Sequence, residues 1–93
     1  MIRDFADKDT ERLFRRSRAK KFAGSLQRAA LRKLAMLHAA VSLEDLRSPP
    51  GNRLEKLVGD RDGQHSIRIN DQWRIGFTWT SAGPANVEIT DYH

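Results

Sequence analysis

The chain contains no cysteine, which excludes a disulfide framework and any thiolate-bound metal centre. Cysteine-free composition is compatible with a reducing cytosol, and a cytoplasmic location is expected. No apolar run approaches the roughly 20 residues that span a bilayer, and the opening Met1-Ile-Arg-Asp-Phe5 lacks the apolar core of a signal peptide. No role at a membrane is expected. Repeats, low-complexity tracts and linkers are also missing, so residues 1–93 are expected to form a single domain with one modest core. The three histidines, His38, His65 and His93, are scattered, and no carboxylate pair stands beside them at ligand spacing. Neither a metal site nor any other cofactor is expected. Glycine is too sparse for a phosphate-cradling loop, and Gly59-Asp-Arg-Asp-Gly63 is read as a turn.

Acidic residues are in the minority. Seventeen Lys and Arg against twelve Asp and Glu give a net charge of +5, and most of the cations are arginine. A small basic domain of this kind suits a nucleic-acid backbone, and the planar guanidinium fork matches phosphate better than a lysine point charge. An acidic protein partner is the alternative reading. Arg12, Arg15, Arg16, Arg18, Lys20 and Lys21 concentrate positive charge in ten residues. That cluster reads as a solvated link, a nucleic-acid contact or an acidic-partner contact.

The most informative stretch is Ser66-Ile-Arg-Ile-Asn-Asp-Gln-Trp-Arg-Ile-Gly-Phe-Thr-Trp79. Ile67 and Ile69 alternate with polar residues before the Asn70-Asp71-Gln72 turn, and Trp73, Ile75, Phe77 and Trp79 alternate after it. Period-two alternation flanking a turn predicts a β-hairpin. A three-residue loop keeps the apolar side chains on one face and sets Ile69 opposite Trp73 and Ile67 opposite Ile75, because a one-residue slip flips every side chain. Arg68 then lies directly opposite Arg74. Like charges so placed destabilise the pair, so a nearby carboxylate or an anionic ligand is expected to offset them.

Along the rest of the chain, Met1 to Phe5 is expected to be a short strand. Asp7 reads as the N-cap of a helix over residues 8–16, with Asp9 and Glu11 in its first turn and Arg15 and Arg16 in its last. Leu26, Ala30, Leu34, Leu37 and Val41 mark the apolar stripe of a longer helix over residues 25–40. His38, at the margin of the stripe, is read as structural. Ser42-Leu-Glu-Asp45 resembles a capped helical turn, and Ser48-Pro-Pro-Gly51 stops it. A strand is expected over Asn52 to Val58. After a turn at Ser81-Ala-Gly-Pro84, the last strand runs from Ala85 to Thr90, with Ala85, Val87 and Ile89 on one face. Helices grouped apart from an antiparallel sheet describe an α+β fold in the order β-α-α-β-β-β-β.

One constellation carries chemistry. Metal-free ribonuclease action needs a base for the 2′-hydroxyl, cations for the charge growing on the phosphate, and an acid for the departing 5′-oxygen. Arg68 and Arg74 supply fixed positive charge, and His93 exchanges protons near neutrality. Tyr92 can stack on a base or bond to phosphate. A polar terminal Asp91-Tyr92-His93 is also what an idle chain end looks like.

Asn52-Arg-Leu-Glu55, Gly59-Asp-Arg61, Ser66-Ile-Arg-Ile-Asn-Asp-Gln-Trp-Arg-Ile75 and Asp91-Tyr-His93 together resemble the HigB branch of the RelE-like toxins, the toxin halves of bacterial toxin–antitoxin pairs. Weaker similarity at Arg32-Lys-Leu-Ala-Met36 and Leu46-Arg-Ser-Pro-Pro-Gly-Asn52 extends the resemblance over essentially the whole chain. It implies a compact RelE-like fold with a curved antiparallel sheet. It also implies an endoribonuclease that enters the ribosomal A site and cuts messenger RNA without metal, leaving a 2′,3′-cyclic phosphate and a 5′-hydroxyl. The family's active-site arginine falls on Arg74, and its terminal catalytic residues fall on Asp91, Tyr92 and His93. Arg53, Lys56, Arg61 and Arg68 are the expected RNA contacts. The implied partners are the 70S ribosome, messenger RNA and a HigA-like helix-turn-helix antitoxin, through which alone the toxin would reach operator DNA. Val58 and Glu55 depart from the family, which often has a lysine before Gly-Asp-Arg and in some members a histidine three residues earlier. Glu55 is read as a partner for an arginine in preference to a base. Two alternatives stand beside this reading: a gyrase-type poison like the ParE relatives, which act by binding, and a weakened toxin kept for antitoxin binding.

Overall fold

The β-hairpin forms in the register that side-chain parity requires. In the computed structural model, which describes residues 1–17 and 21–91, Ile67 pairs with Ile75 and Arg68 with Arg74. The Ile69 N–H donates to the Trp73 carbonyl at 2.9 Å, which leaves Asn70-Asp71-Gln72 as the loop. Asn70 builds that loop itself: its side-chain oxygen accepts from the N–H groups of Gln72 at 2.9 Å and Trp73 at 2.8 Å. An Asx side chain of this kind replaces a backbone turn.

Two helices precede a four-stranded antiparallel sheet. Helix α1 is Lys8–Phe14 and α2 is Gly24–Ala39. Strands β1 (Glu55–Lys56), β2 (His65–Arg68), β3 (Trp73–Thr80) and β4 (Gly83–Asp91) lie side by side in that order. The fold is therefore α+β, compatible with the RelE-like arrangement. No helix is long and apolar enough to cross a membrane.

One sheet face makes the core. Leu26, Ala30, Leu34 and Leu37 of α2, spaced by four, four and three residues, are buried with Leu13 of α1 against Ile67, Ile75, Phe77, Val87 and Ile89. Each large aliphatic side chain so removed from water contributes about 1.5–3 kcal/mol. Phe22 closes one end, edge-on to Trp73 with 6.1 Å between ring centroids. His38 is structural here: its Nδ1 accepts from the Ile2 N–H at 3.1 Å.

The Asp7 cap is present, with Oδ2 accepting from the Thr10 N–H at 3.1 Å. Helix α1 ends at Phe14, however, so Arg15 and Arg16 lie past it, and Arg16 takes a left-handed φ of 58°. The capped turn at Ser42 also forms. Asp45 Oδ2 accepts from the N–H groups of both Val41 and Ser42, and these bonds hold its pKa below the ordinary carboxylate value. Of the expected basic cluster, Arg18 and Lys20 lie outside the described residues, while Arg12, Arg15 and Lys21 pair with Asp9 or Glu11.

Four expectations need correction. Val41 does not continue the α2 stripe. The helix stops at Ala39, Ala40 is extended, and Val41 is 88% exposed. The strand expected over Asn52–Val58 shrinks to Glu55–Lys56. Asn52 is instead buried in a 3₁₀ turn, where its Nδ2 donates to the carbonyls of Leu46 at 3.2 Å and Ser48 at 3.4 Å, and Arg53 then turns the chain with a φ of 44°.

Ala85 leaves the Val87 and Ile89 face. Asn86 takes a φ of 51°, the register shifts between Gly76 and Thr78, and Ala85 pairs with Thr78. A bulge of this kind changes parity on its far side. The N-terminal segment, finally, makes only one bridge among the described residues, Phe5 to Val87. Its hydrogen bonds run along the bulged edge of β4: Arg3 N–H to the Pro84 carbonyl at 2.8 Å, Ala6 N–H to the Val87 carbonyl at 2.9 Å, and Val87 N–H to the Asp4 carbonyl at 3.2 Å. Thr10, fully buried, accepts the Ile89 N–H at 3.1 Å.

Candidate active site on the second sheet face

Residues directly opposite each other on paired strands share a face. The register therefore gathers Glu55, Ser66, Arg68, Arg74, Gly76, Glu88 and Thr90 on the side of the sheet away from the apolar core. Arg74 lies among them, its side chain 14% exposed. Its Nε donates to Ser66 Oγ at 2.8 Å, and Nη2 donates to the carbonyls of Arg53 at 2.6 Å and Ser66 at 3.3 Å. Among the described residues Nη1 has no hydrogen-bond acceptor, and its counter-charge is Glu55 Oε1 at 3.9 Å. Three of the five guanidinium donors are thus committed to the protein, and the remaining two point to the Glu55 side of the site. A guanidinium held this way can stabilise charge growing on a phosphate without reorganising.

The carboxylates anticipated for the arginine pair are both present. Glu55 pairs with Arg74, and Asp71 of the hairpin loop bonds to Arg68. Arg61 reaches the same face through Glu88 Oε1 at 3.1 Å. The left-handed backbone of Arg53 brings its carbonyl onto Arg74, while its side chain is exposed. Lys56 is not part of this gathering. It pairs with His65, which stacks on Phe77 of the core, so Lys56 belongs to the opposite side of the sheet.

Asp91 closes β4 opposite Trp73, one residue past the Arg74–Thr90 pair, so the register puts it on the Trp73 side of the sheet and not on the Arg74 face, and its Oδ2 accepts from Gln72 Nε2 at 2.9 Å. The strand end that carries it thus lies beside the hairpin loop. Tyr92 and His93 lie outside the described residues. Among the described residues no three of His, Asp and Glu converge as metal ligands.

Sequence reasoning missed Ser66. It is fully buried although it lies on the polar face. The signal was available in the register: with Arg68 opposite Arg74 and Ser66 opposite Gly76, Ser66 is the diagonal neighbour of Arg74, within reach of a long side chain.

A family model described as "RelE-like toxin of type II toxin-antitoxin system HigB" matches residues 3–93. The chain is 40% identical over 90 residues to "Toxin HigB-1" of Vibrio cholerae serotype O1, an alignment covering 96% of this chain and 95% of that protein. It is 39% identical over 59 residues to an uncharacterized protein of Haemophilus influenzae, covering 63% of this chain and 58% of that one. The family model spans nearly the whole sequence and the relative is similar over nearly its full length, so the chain belongs to the HigB-like toxins, the RelE-like toxins of type II toxin–antitoxin systems.

Proposed function

We propose that this toxin is a ribosome-dependent endoribonuclease that cleaves messenger RNA in the ribosomal A site and so stops translation. The observation that carries the reading is Arg74, fixed by three hydrogen bonds on the polar sheet face with Nη1 beside Glu55 and bonded to no acceptor among the described residues. In this scheme the 2′-hydroxyl gives its proton to the terminal proton-transfer set and attacks the adjacent phosphorus as the P–O5′ bond breaks, giving a 2′,3′-cyclic phosphate and a 5′-hydroxyl. Arg74 stabilises the charge on the phosphoryl oxygens. His93 protonates the leaving oxygen, Tyr92 packs on a base or bonds to the phosphate, and Asp91 supports the proton-transfer set at the strand end. Arg53, Arg61 and Arg68 hold the flanking backbone. The ribosome bends the message so that nucleophile and phosphate align, and such positioning lowers barriers by several kcal/mol.

A type II toxin has an antitoxin partner. The partner proposed here is a HigA-like helix-turn-helix protein that also carries the complex to operator DNA, and the site of action is the cytoplasm. Glu55 favours a second reading. A carboxylate 3.9 Å from Nη1 of the key arginine competes with phosphate, as expected of a catalytically weakened toxin retained for antitoxin binding.

The test is cleavage of a defined message on programmed ribosomes, compared with the free message and with the Arg74→Ala and His93→Ala variants. Removing a proton-transfer group typically costs on the order of 10²–10⁴ in rate. Cutting confined to ribosomes and strongly reduced in both variants supports the nuclease. No cutting by the unaltered protein overturns it in favour of the weakened or gyrase-type reading.

A further inference from the structure

We infer that Ser66 is a positioning residue for Arg74, and that its hydroxyl determines which edge of the guanidinium faces the RNA. The inference rests on the nuclease reading above. Ser66 is completely buried, whereas Glu55, Arg68, Arg74, Glu88 and Thr90 on the same face are charged or polar and at least partly exposed. A buried hydroxyl needs a partner, because leaving it unpaired costs the desolvation of the group. Arg74 Nε is that partner at 2.8 Å, and the Ser66 carbonyl takes a second bond from Nη2 at 3.3 Å. Ser66 therefore grips the Nε–Nη2 edge of the fork from both its side chain and its backbone. The Arg53 carbonyl completes the grip at 2.6 Å.

The consequence is directional. Arginine commonly binds phosphate through two parallel N–H groups. Here the Nε–Nη2 edge is occupied by protein, so Arg74 offers Nη1 alone and meets a phosphate end-on. A group fixed in this way contributes without paying reorganisation at the moment of reaction. Without the Ser66 hydroxyl, the Nε–H is released and the fork can rotate about its stem. Binding of RNA, spread over several arginines, changes little, whereas the rate of cleavage falls.

A double-mutant cycle in single-turnover cleavage on saturating ribosomes tests this. Ser66→Ala is expected to slow cleavage about tenfold with unchanged ribosome affinity. Arg74→Lys, whose ammonium has no Nε–H to be held, is expected to slow it more, and adding Ser66→Ala to Arg74→Lys is expected to cost nothing further. In parallel, the Arg74 Nε–H resonance should be observable and slow to exchange in the unaltered protein and fast in Ser66→Ala. An equal rate loss from Ser66→Ala in both backgrounds would assign the serine a purely structural role and overturn the inference. So would an unchanged rate, or an Nε–H that exchanges equally fast in both proteins. Failure of the unaltered protein to cut overturns the nuclease reading itself, and is distinguished from those results because every variant is compared with a cutting parent.

Discussion

Arg68 and Arg74 stand directly across the β2–β3 ladder from each other, yet each turns to a different carboxylate: Arg68 to Asp71 in the hairpin loop and Arg74 to Glu55 on β1. The two partners are not equivalent. Asp71 is fully exposed, whereas Glu55 stands on the strand that borders the arginine site. The like-charge pair is thus tolerated through one fully solvated counter-charge and one beside the arginine site.

Glu55→Gln should therefore tighten RNA binding and Asp71→Asn should leave it nearly unchanged. Glu55 is more than half exposed, so solvent screening keeps the effect small, of order two- to five-fold in affinity. Titration of a short RNA carrying a non-cleavable 2′-methoxy group, at low salt, reads it directly. Weaker binding by Glu55→Gln would mean that the carboxylate helps to hold the substrate.

Asn52→Ala should destabilise the fold without touching the catalytic face. The buried side chain bonds to the carbonyls of Leu46 and Ser48, and its Oδ1 accepts from Lys33 Nζ at 2.5 Å. Removing it strands buried polar groups, at a cost of about 1–3 kcal/mol. Urea denaturation is the measurement, and an unchanged midpoint would refute the role.

Gly83 holds the β3–β4 turn against the N-terminus. Its φ is 123°, and a Cβ there would overlap the Met1 carbonyl oxygen. Gly83→Ala should cost about 1–3 kcal/mol, the range for a strained backbone, and should expose the start of the chain to an aminopeptidase. A melting temperature equal to that of the parent would contradict both expectations.

His65 gives the stability a pH dependence of known sign. Burial chiefly, and the Lys56 charge second, lower its pKa below the ordinary 6.5, and its buried Nδ1 has no hydrogen-bond partner among the described residues. The unfolded chain then takes up the proton first as pH falls. Stability from this residue is complete above about pH 6.5 and is lost as pH drops through the folded pKa. His65→Phe keeps a ring beside Phe77 and has no proton to gain. Its melting temperature should vary less between pH 7.5 and 5.5 than that of the parent, and parallel curves would rule the histidine out.

Much of the sheet could be read from the chain because parity is a strict constraint. Once Ile67, Ile75 and their neighbours had to share a face, only one loop length remained, and the Arg68–Arg74 pairing followed. The same rule misplaced Ala85, since nothing in the residue types marks the left-handed Asn86 that resets parity. The strand expected at Asn52 fails because the asparagine side chain finds better partners in the interior than the ladder offers its backbone. At the site, Glu55 was legible as a partner for an arginine, and the structure supplies Arg74 as that arginine. Ser66 was not, because a serine on a polar strand face looks solvated until a neighbouring arginine is laid over it.

The N-terminal segment has a consequence for how partners can engage this toxin. Among the described residues, the outward N–H groups of Asn86, Val87 and Ile89 on β4 are taken by Asp4 and Thr10. At the other margin β1 is only two residues long. An open sheet usually invites a foreign strand to extend it. Along Asn86, Val87 and Ile89 the N-terminal segment already occupies that template, and so acts as a built-in guard against runaway strand pairing.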